Sequence, residues 1–177
     1  MPNLLSLVHI DKNFYKETID EVKVFSDFNL EVESGEFVSI VGSNGSGKTT
    51  LMNMISGIYF PDEGHIYVDG KEAIIKSPKD TYNYKIGMIH QHFKLVDIFS
   101  AAENIILGMN EKKAKTKDVN AEVKEIANRY GFDIDPKKKI YDMSVSEKQT
   151  VEIIKVLYRG ANILILDEAT AVLTPQE

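Results

Sequence analysis

The sequence predicts an α/β fold, on three observations: an apolar run, Phe37 to Val41, that feeds directly into glycines, a helical pattern immediately after them, and a second apolar run, Ile163 to Leu166, that ends in two acids. Strand, glycine loop and helix in that order place an anion-binding turn at the tip of a buried strand. With 43% hydrophobic and 27% charged residues, the 177-residue chain has enough apolar side chain for a core, which argues against disorder. The lack of cysteine excludes disulfide frameworks, thiolate metal sites and cysteine nucleophiles, and it suits a reducing compartment, so the cytoplasm is expected. No apolar run approaches the roughly 20 residues that cross a bilayer, so no transmembrane segment is expected. A net charge of −6 opposes nucleic-acid binding, which needs Lys and Arg to displace phosphate counterions.

The elements follow in order. Leu4 to Ile10 and Phe28 to Val32 read as strands, then Ser34-Gly35 as a turn and Phe37 to Val41 as a buried strand. Lys48 to Ser56 reads as a helix with Leu51, Met52, Ile55 and the later Ile58 at helical spacing, stopped by Gly57. His65 to Val68, Asp69-Gly70 and Lys71 to Ile75 form a hairpin, because Asp-Gly supplies the positive φ angles of a type I′ turn. Ile86 to Ile89 is a further strand. The pattern then turns helical. Ser100 with Glu103 is a capping box before Ile105 to Leu107, and Val119, Val123, Ile126, Ala127 and Tyr130 make one stripe ending at Gly131. Ser144 with Glu147 is a second capping box, opening a helix whose Val151, Ile154, Leu157 and Tyr158 share a face and which stops at Gly160. The lysines Lys112, Lys113, Lys115, Lys117 and Lys137 to Lys139 read as solvated surface.

The chemistry concentrates in two motifs. Gly42-Ser43-Asn44-Gly45-Ser46-Gly47-Lys48-Thr49 fits G-x-x-x-x-G-K-[ST], in which glycines turn successive N–H groups toward phosphates. Lys48 then reaches the β and γ phosphates of a bound nucleotide, Thr49 offers a hydroxyl to Mg²⁺, and the backbone as far as Thr50 completes the cradle. Ile163 to Leu166 followed by Asp167 and Glu168 places two carboxylates at a strand tip, where α/β ligands bind. Asp167 suits the coordination shell of Mg²⁺, and Glu168 suits polarisation of a water for in-line attack.

With these motifs the chain resembles the nucleotide-binding domain of ATP-binding cassette (ABC) ATPases over nearly its whole length. The resemblance implies a P-loop core with an N-terminal antiparallel β subdomain and an inserted helical subdomain: 1–92 for the β subdomain and Walker A core, 93–159 for the helical subdomain, 160–177 for the Walker B strand and D-loop. It gives Gln91 the role of the Q-loop glutamine at Mg²⁺ and the attacking water. It places Ser144-Val145-Ser146-Glu147-Lys148-Gln149 as the signature that caps the γ phosphate held by a second ABC ATPase domain, with Ser144 and Ser146 as its contacts. It makes either Phe14 or Tyr15 the aromatic that stacks on adenine, and Leu173-Thr174 part of the D-loop. His90 and His92 read as packing beside Gln91 rather than as metal ligands.

Ile89 to Val96, Ala102 to Gly108 and Tyr158 to Leu164 look like the first ATPase domain of importers for nucleosides and simple sugars. The implied partners are transmembrane permease subunits and a second ATPase domain, with no nucleic acid, at the inner face of the cell membrane. Three positions depart from the pattern: Ser146 replaces a glycine and its Cβ crowds the approach to phosphate, Ala169 replaces a proline, and Thr174 replaces an aspartate. The family pattern continues past Glu177 with a switch histidine and the final core strands. The resemblance therefore implies an incomplete cassette that by itself folds poorly and turns over little ATP. Two other classes stay open: a soluble ABC protein acting on nucleic acid, disfavoured by the short stretch between Gln91 and Ser144, and a regulatory domain that binds ATP with little turnover.

Overall fold

The computed structural model describes residues 3–89, 93–109 and 118–167, and the chain divides into two units, Met1–Ile86 and Gly87–Glu177. In the first unit β1 (Leu5–Phe14) pairs antiparallel with β2 (Val22–Val32) on one side and β3 (Glu63–Val68) on the other, and β4 (Lys71–Glu72) extends the sheet in the order β2-β1-β3-β4. Alternation along β1 buries Leu5 and Leu7, and a register shift brings Ile10 back to the buried side. The register slips between Leu7 and Ile10, with His9 at φ 53°, and again between Ile10 and Lys12, where Asp27 on β2 has φ 51°. Side chains take over the broken ladder there: His9 N–H donates to Asn29 Oδ1 (2.9 Å) and Asp27 N–H to Asp11 Oδ1 (2.8 Å).

The Asp69-Gly70 turn forms as expected, with φ of 51° and 72°. β4 is shorter than the expected Lys71 to Ile75, because other acceptors take the next donors. Ala73 N–H still reaches Ile66 O (2.7 Å), but Ile74 N–H goes to the Tyr84 hydroxyl (3.0 Å) and Lys76 N–H to Asp80 (2.9 Å).

The expected strand at Phe37 to Val41 is not formed. Phe37 and Val41 are 84% and 89% exposed. A buried strand needs hydrogen-bonding neighbours, and among the described residues none pairs with this segment. The helix after the glycine loop, α1 (Lys48–Ile55), buries Leu51, Met54 and Ile55. It ends before Ile58, which lies outside the helical face and is half exposed. Gly57 follows at φ 73°, where a Cβ would lie 2.7 Å from Ile75 Cγ2 and Ser77 O, so glycine is required by both conformation and space.

In the second unit β5 (Ile86–Ile89) pairs with β6 (Ile163–Leu166). Asp167 N–H donates to Ile89 O (3.1 Å), so the C-terminal ends of both strands meet at one edge. Three helices build the larger core: α2 (Ala101–Ile106), α3 (Val119–Arg129) and α4 (Val145–Tyr158), with Ile105, Val123, Ala127, Val151 and Ile154 fully buried. Helix α2 stops one residue earlier than expected. Tyr130, the last member of the expected α3 stripe, caps that helix and is exposed rather than buried. Buried Asn104 replaces backbone partners for the preceding loop, accepting from Val96 N–H (2.7 Å) and donating to Val96 O (3.1 Å). Gly87 lets β5 approach α4, since a Cβ there would overlap Val156.

Candidate functional site

In the first unit the glycine loop ends on Gly47, which caps α1 at φ 96°, and Gly45 is also left-handed at φ 81°. An L side chain is disfavoured at both. A Cβ on Gly47 would lie 2.8 Å from Val24 Cγ1 and 3.0 Å from Phe25 Cζ, and one on Gly42 would overlap Ser46 Oγ. Strand β2 therefore backs the loop through Val24 and Phe25, which sequence patterning does not single out. No side chain caps α1 and no acid lies in its first turn. The first intrahelical bond is Leu51 N–H to Gly47 O (2.9 Å), so the N–H groups of Lys48, Thr49 and Thr50 lie ahead of the helical ladder. The Lys48 ammonium lies against the same turn, donating to Gly42 O, to Ser43 O (2.9 Å) and weakly to Ser46 Oγ (3.5 Å). A cation and uncapped N–H groups at a helix N-terminus, on a backbone that side chains would block, suit a phosphate.

Phe14 and Tyr15 part company. Phe14 ends β1 edge-on to Tyr59, with ring centroids 5.4 Å apart, and Lys12 Nζ lies 5.4 Å from its centroid. Tyr15 sits in the turn at φ 55°, 71% exposed. Asp62 fastens this corner, accepting from Asn13 N–H (2.7 Å) and pairing with Lys12 (3.4 Å) and Lys16 (3.5 Å). Burial works to raise the Asp62 carboxyl, but the Asn13 N–H and the two ammoniums outweigh it and hold it below the usual range.

In the second unit Ser144 caps α4. Its hydroxyl accepts from Glu147 N–H (3.2 Å), and Glu147 Oε2 accepts from Ser144 N–H (2.7 Å). Ser146, in the first turn, accepts at its carbonyl from the Thr150 hydroxyl (3.1 Å). Glu147 Oε1 pairs with Lys138 Nζ (2.6 Å), and Lys138 together with the Ser144 N–H holds the Glu147 carboxyl below its ordinary range. Of the lysines expected on a solvated surface, Lys138 and Lys139 are half-buried and paired, Lys139 with Glu103 (3.0 Å), while Lys137 is exposed. Gln149 is 2% exposed, and its Nε2 has no hydrogen-bond partner among the described residues.

Asp167 stands at the tip of β6 beside the last residue of β5. The structure thus brings together Gly42 to Thr50 in one unit, and in the other Ser144 with Ser146 and, separately, Asp167 with Ile89. Gln91, His90, His92, Glu168, Ala169, Leu173 and Thr174 lie outside the described residues, as do Lys112, Lys113, Lys115 and Lys117. Among the described residues no cluster of His, Asp and Glu with metal-ligating geometry occurs, and no helix is long and apolar enough to cross a membrane.

Residues 25–171 match the family described as ABC transporter. The chain is 49% identical over 170 residues to the nucleoside import ATP-binding protein NupA of Lactococcus lactis subsp. cremoris, an alignment covering 91% of this chain and 34% of that protein. It is 51% identical over 154 residues to the guanosine import ATP-binding protein NupO of Bacillus subtilis, covering 85% of this chain and 30% of that one. The chain therefore spans about a third of these relatives. Among solved structures it resembles cbiO1 of Clostridium perfringens, part of the ABC transporter complex cbiONQ, with a TM-score of 0.80, 27% identity and coverage of 99% of this chain and 69% of that one. The ADP conformation of MJ1267, an ATP-binding cassette of an ABC transporter, gives 0.81 at 25% identity, covering 99% and 72%.

Proposed function

The chain belongs to the ABC transporter family, and from that premise we propose that it is the ATP-binding and hydrolysing part of an importer for nucleosides or simple sugars. The observation that carries the reading is the N-terminus of α1, where glycine capping, uncapped N–H groups and the Lys48 ammonium lie on one turn. In this reading the Gly42 to Thr50 backbone and Lys48 bind the phosphates, and Phe14 or Tyr15 stacks on adenine. Thr49, Asp167 and Gln91 hold Mg²⁺, whose chemistry is to neutralise charge on the β and γ phosphates. Glu168 accepts the proton of the attacking water. Ser144 and Ser146 at the head of α4 serve the ATP of a second cassette, so that two cassettes close on two nucleotides and drive permease subunits at the inner face of the membrane. The likeness to nucleoside and guanosine import ATP-binding proteins supports the solute class.

Calorimetric titration with Mg-ATP tests the site. Lys48→Ala removes a cation that meets the phosphates away from bulk water, and affinity is expected to fall by about a hundredfold or more. Unchanged affinity in that variant rejects the assignment.

A further inference from the structure

Pro136 to Ile140 form a strap across the first turns of two helices. Its carbonyls accept the leading N–H groups of α2, Ala102 N–H to Pro136 O and Ala101 N–H to Lys138 O, both 3.0 Å, while Ile140 N–H donates to Phe99 O (3.0 Å). Consecutive ammoniums then reach two different capping-box carboxylates, Lys139 to Glu103 Oε2 (3.0 Å) and Lys138 to Glu147 Oε1 (2.6 Å). Lys138 is thus held by its backbone on α2 and by its side chain on α4.

The two pairs are not equivalent. The side chains of Lys139 and Glu103 are 40% and 52% exposed, while those of Lys138 and Glu147 are 33% and 32% exposed, so the latter pair is less screened by solvent. Both Glu147 oxygens are engaged, one by Lys138 and one by the Ser144 N–H. A carboxylate in the first turn suits the helix dipole of α4, but it opposes any other anion arriving at the same end. An ATP phosphate from a second cassette is such an anion, and an uncompensated Glu147 would repel it.

We propose that Lys138 is a positioning residue for the second nucleotide: it cancels the charge of Glu147 and holds the Ser144–Glu147 box in place, so that the head of α4 accepts a γ phosphate. The inference rests on the ATP-sandwich reading above. The Ser144 hydroxyl fits this use, because it accepts from Glu147 N–H and its own hydrogen can be donated to a phosphate oxygen.

The test uses the complete protein that carries this cassette. The quantities are the Mg-ATP concentration that half-saturates cassette association and, separately, nucleotide binding at the Lys48 loop. Lys138→Gln is expected to raise the first about tenfold and leave the second unchanged. Lys138→Arg and the double variant Lys138→Gln with Glu147→Gln are expected to stay within about twofold of the unsubstituted protein. A purely structural role predicts that the melting temperature of Lys138→Gln falls in step with its association, whereas the proposal predicts weaker association with the melt retained. Association within twofold of the unsubstituted protein in Lys138→Gln, or no rescue by Glu147→Gln, overturns the proposal alone. If Lys138→Gln loses its cooperative melt, Glu147→Gln decides: association at equal or lower ATP supports the proposal, and a need for more ATP overturns it. Absence of ATP-driven association in the unsubstituted protein overturns the sandwich reading, and this proposal with it.

Discussion

The N-termini of α1 and α4 offer the same backbone chemistry and are finished in opposite ways. Helix α1 is capped by a left-handed glycine, with no side-chain cap and no acid in its first turn. Helix α4 is closed by a serine and a glutamate that satisfy each other's backbone donors, with a lysine brought in from elsewhere to balance the acid. The dipole and orphan N–H groups of a helix end are common property, and what the sequence adds decides whether they face a ligand or fold back on the chain. At α1 the available donors favour an anion at the expense of local helix stability. At α4 the closed box gains stability, and its negative charge must be compensated before an anion is welcome.

The most severe way to break this comparison is to give α1 the acid that α4 carries. Thr50 occupies the same place in α1, three residues past the cap, as Glu147 in α4. Thr50→Glu should hold or slightly raise helicity by complementing the dipole. It should weaken Mg-ATP binding by about 3 kcal/mol or more, the repulsion of like charges about 5 Å apart at an effective dielectric near 20. Calorimetry with far-UV circular dichroism separates the two effects. Retained affinity would mean that the openness of the α1 end is not what binds nucleotide.

A smaller effect sharpens the other half. Ser144→Ala opens the α4 box and should cost about 1 kcal/mol, a fall in melting temperature of about 2–4 °C. No change in the melt would show that Lys138 and Glu147 hold the end without the serine.

Most of this contrast was legible in the residues. G-x-x-x-x-G-K-[ST] and both S-x-x-E boxes are local patterns whose geometry follows from a few adjacent residues, and α1, α2 and α4 form where the patterns place them. What sequence reading missed depends on residues remote in the chain. Lys138 and Lys139 look like a solvated run until the fold lays them across two helix ends, and Val24 and Phe25 gain meaning only by backing Gly47. Phe37 to Val41 failed for a related reason: its apolar run reports what the segment would bury, whereas a strand also needs a hydrogen-bonded neighbour.

The smallest expected effect is a dependence on acid that belongs to the closed helix ends. Glu147 is held below its ordinary range first by Lys138 and then by the Ser144 N–H, and Glu103 first by the Ser100 N–H and then by Lys139. For a carboxylate whose folded pKa is depressed, the unfolded chain binds the proton more readily. The stabilisation is therefore complete above the ordinary glutamate value of about 4.3 and is lost as pH falls through the lower folded values. Both groups are substantially solvated, so screening keeps the effect small, and a fall of about 1–2 °C in melting temperature is expected from this source. Other carboxylates titrate in the same window, among them Asp27 and Asp62, which are also held low. The informative quantity is the difference between the unsubstituted protein and Glu103→Gln with Glu147→Gln. That difference should be present at neutral pH and vanish in acid, and a gap constant down to pH values well below the carboxylate range would show that the two glutamates act through shape rather than charge.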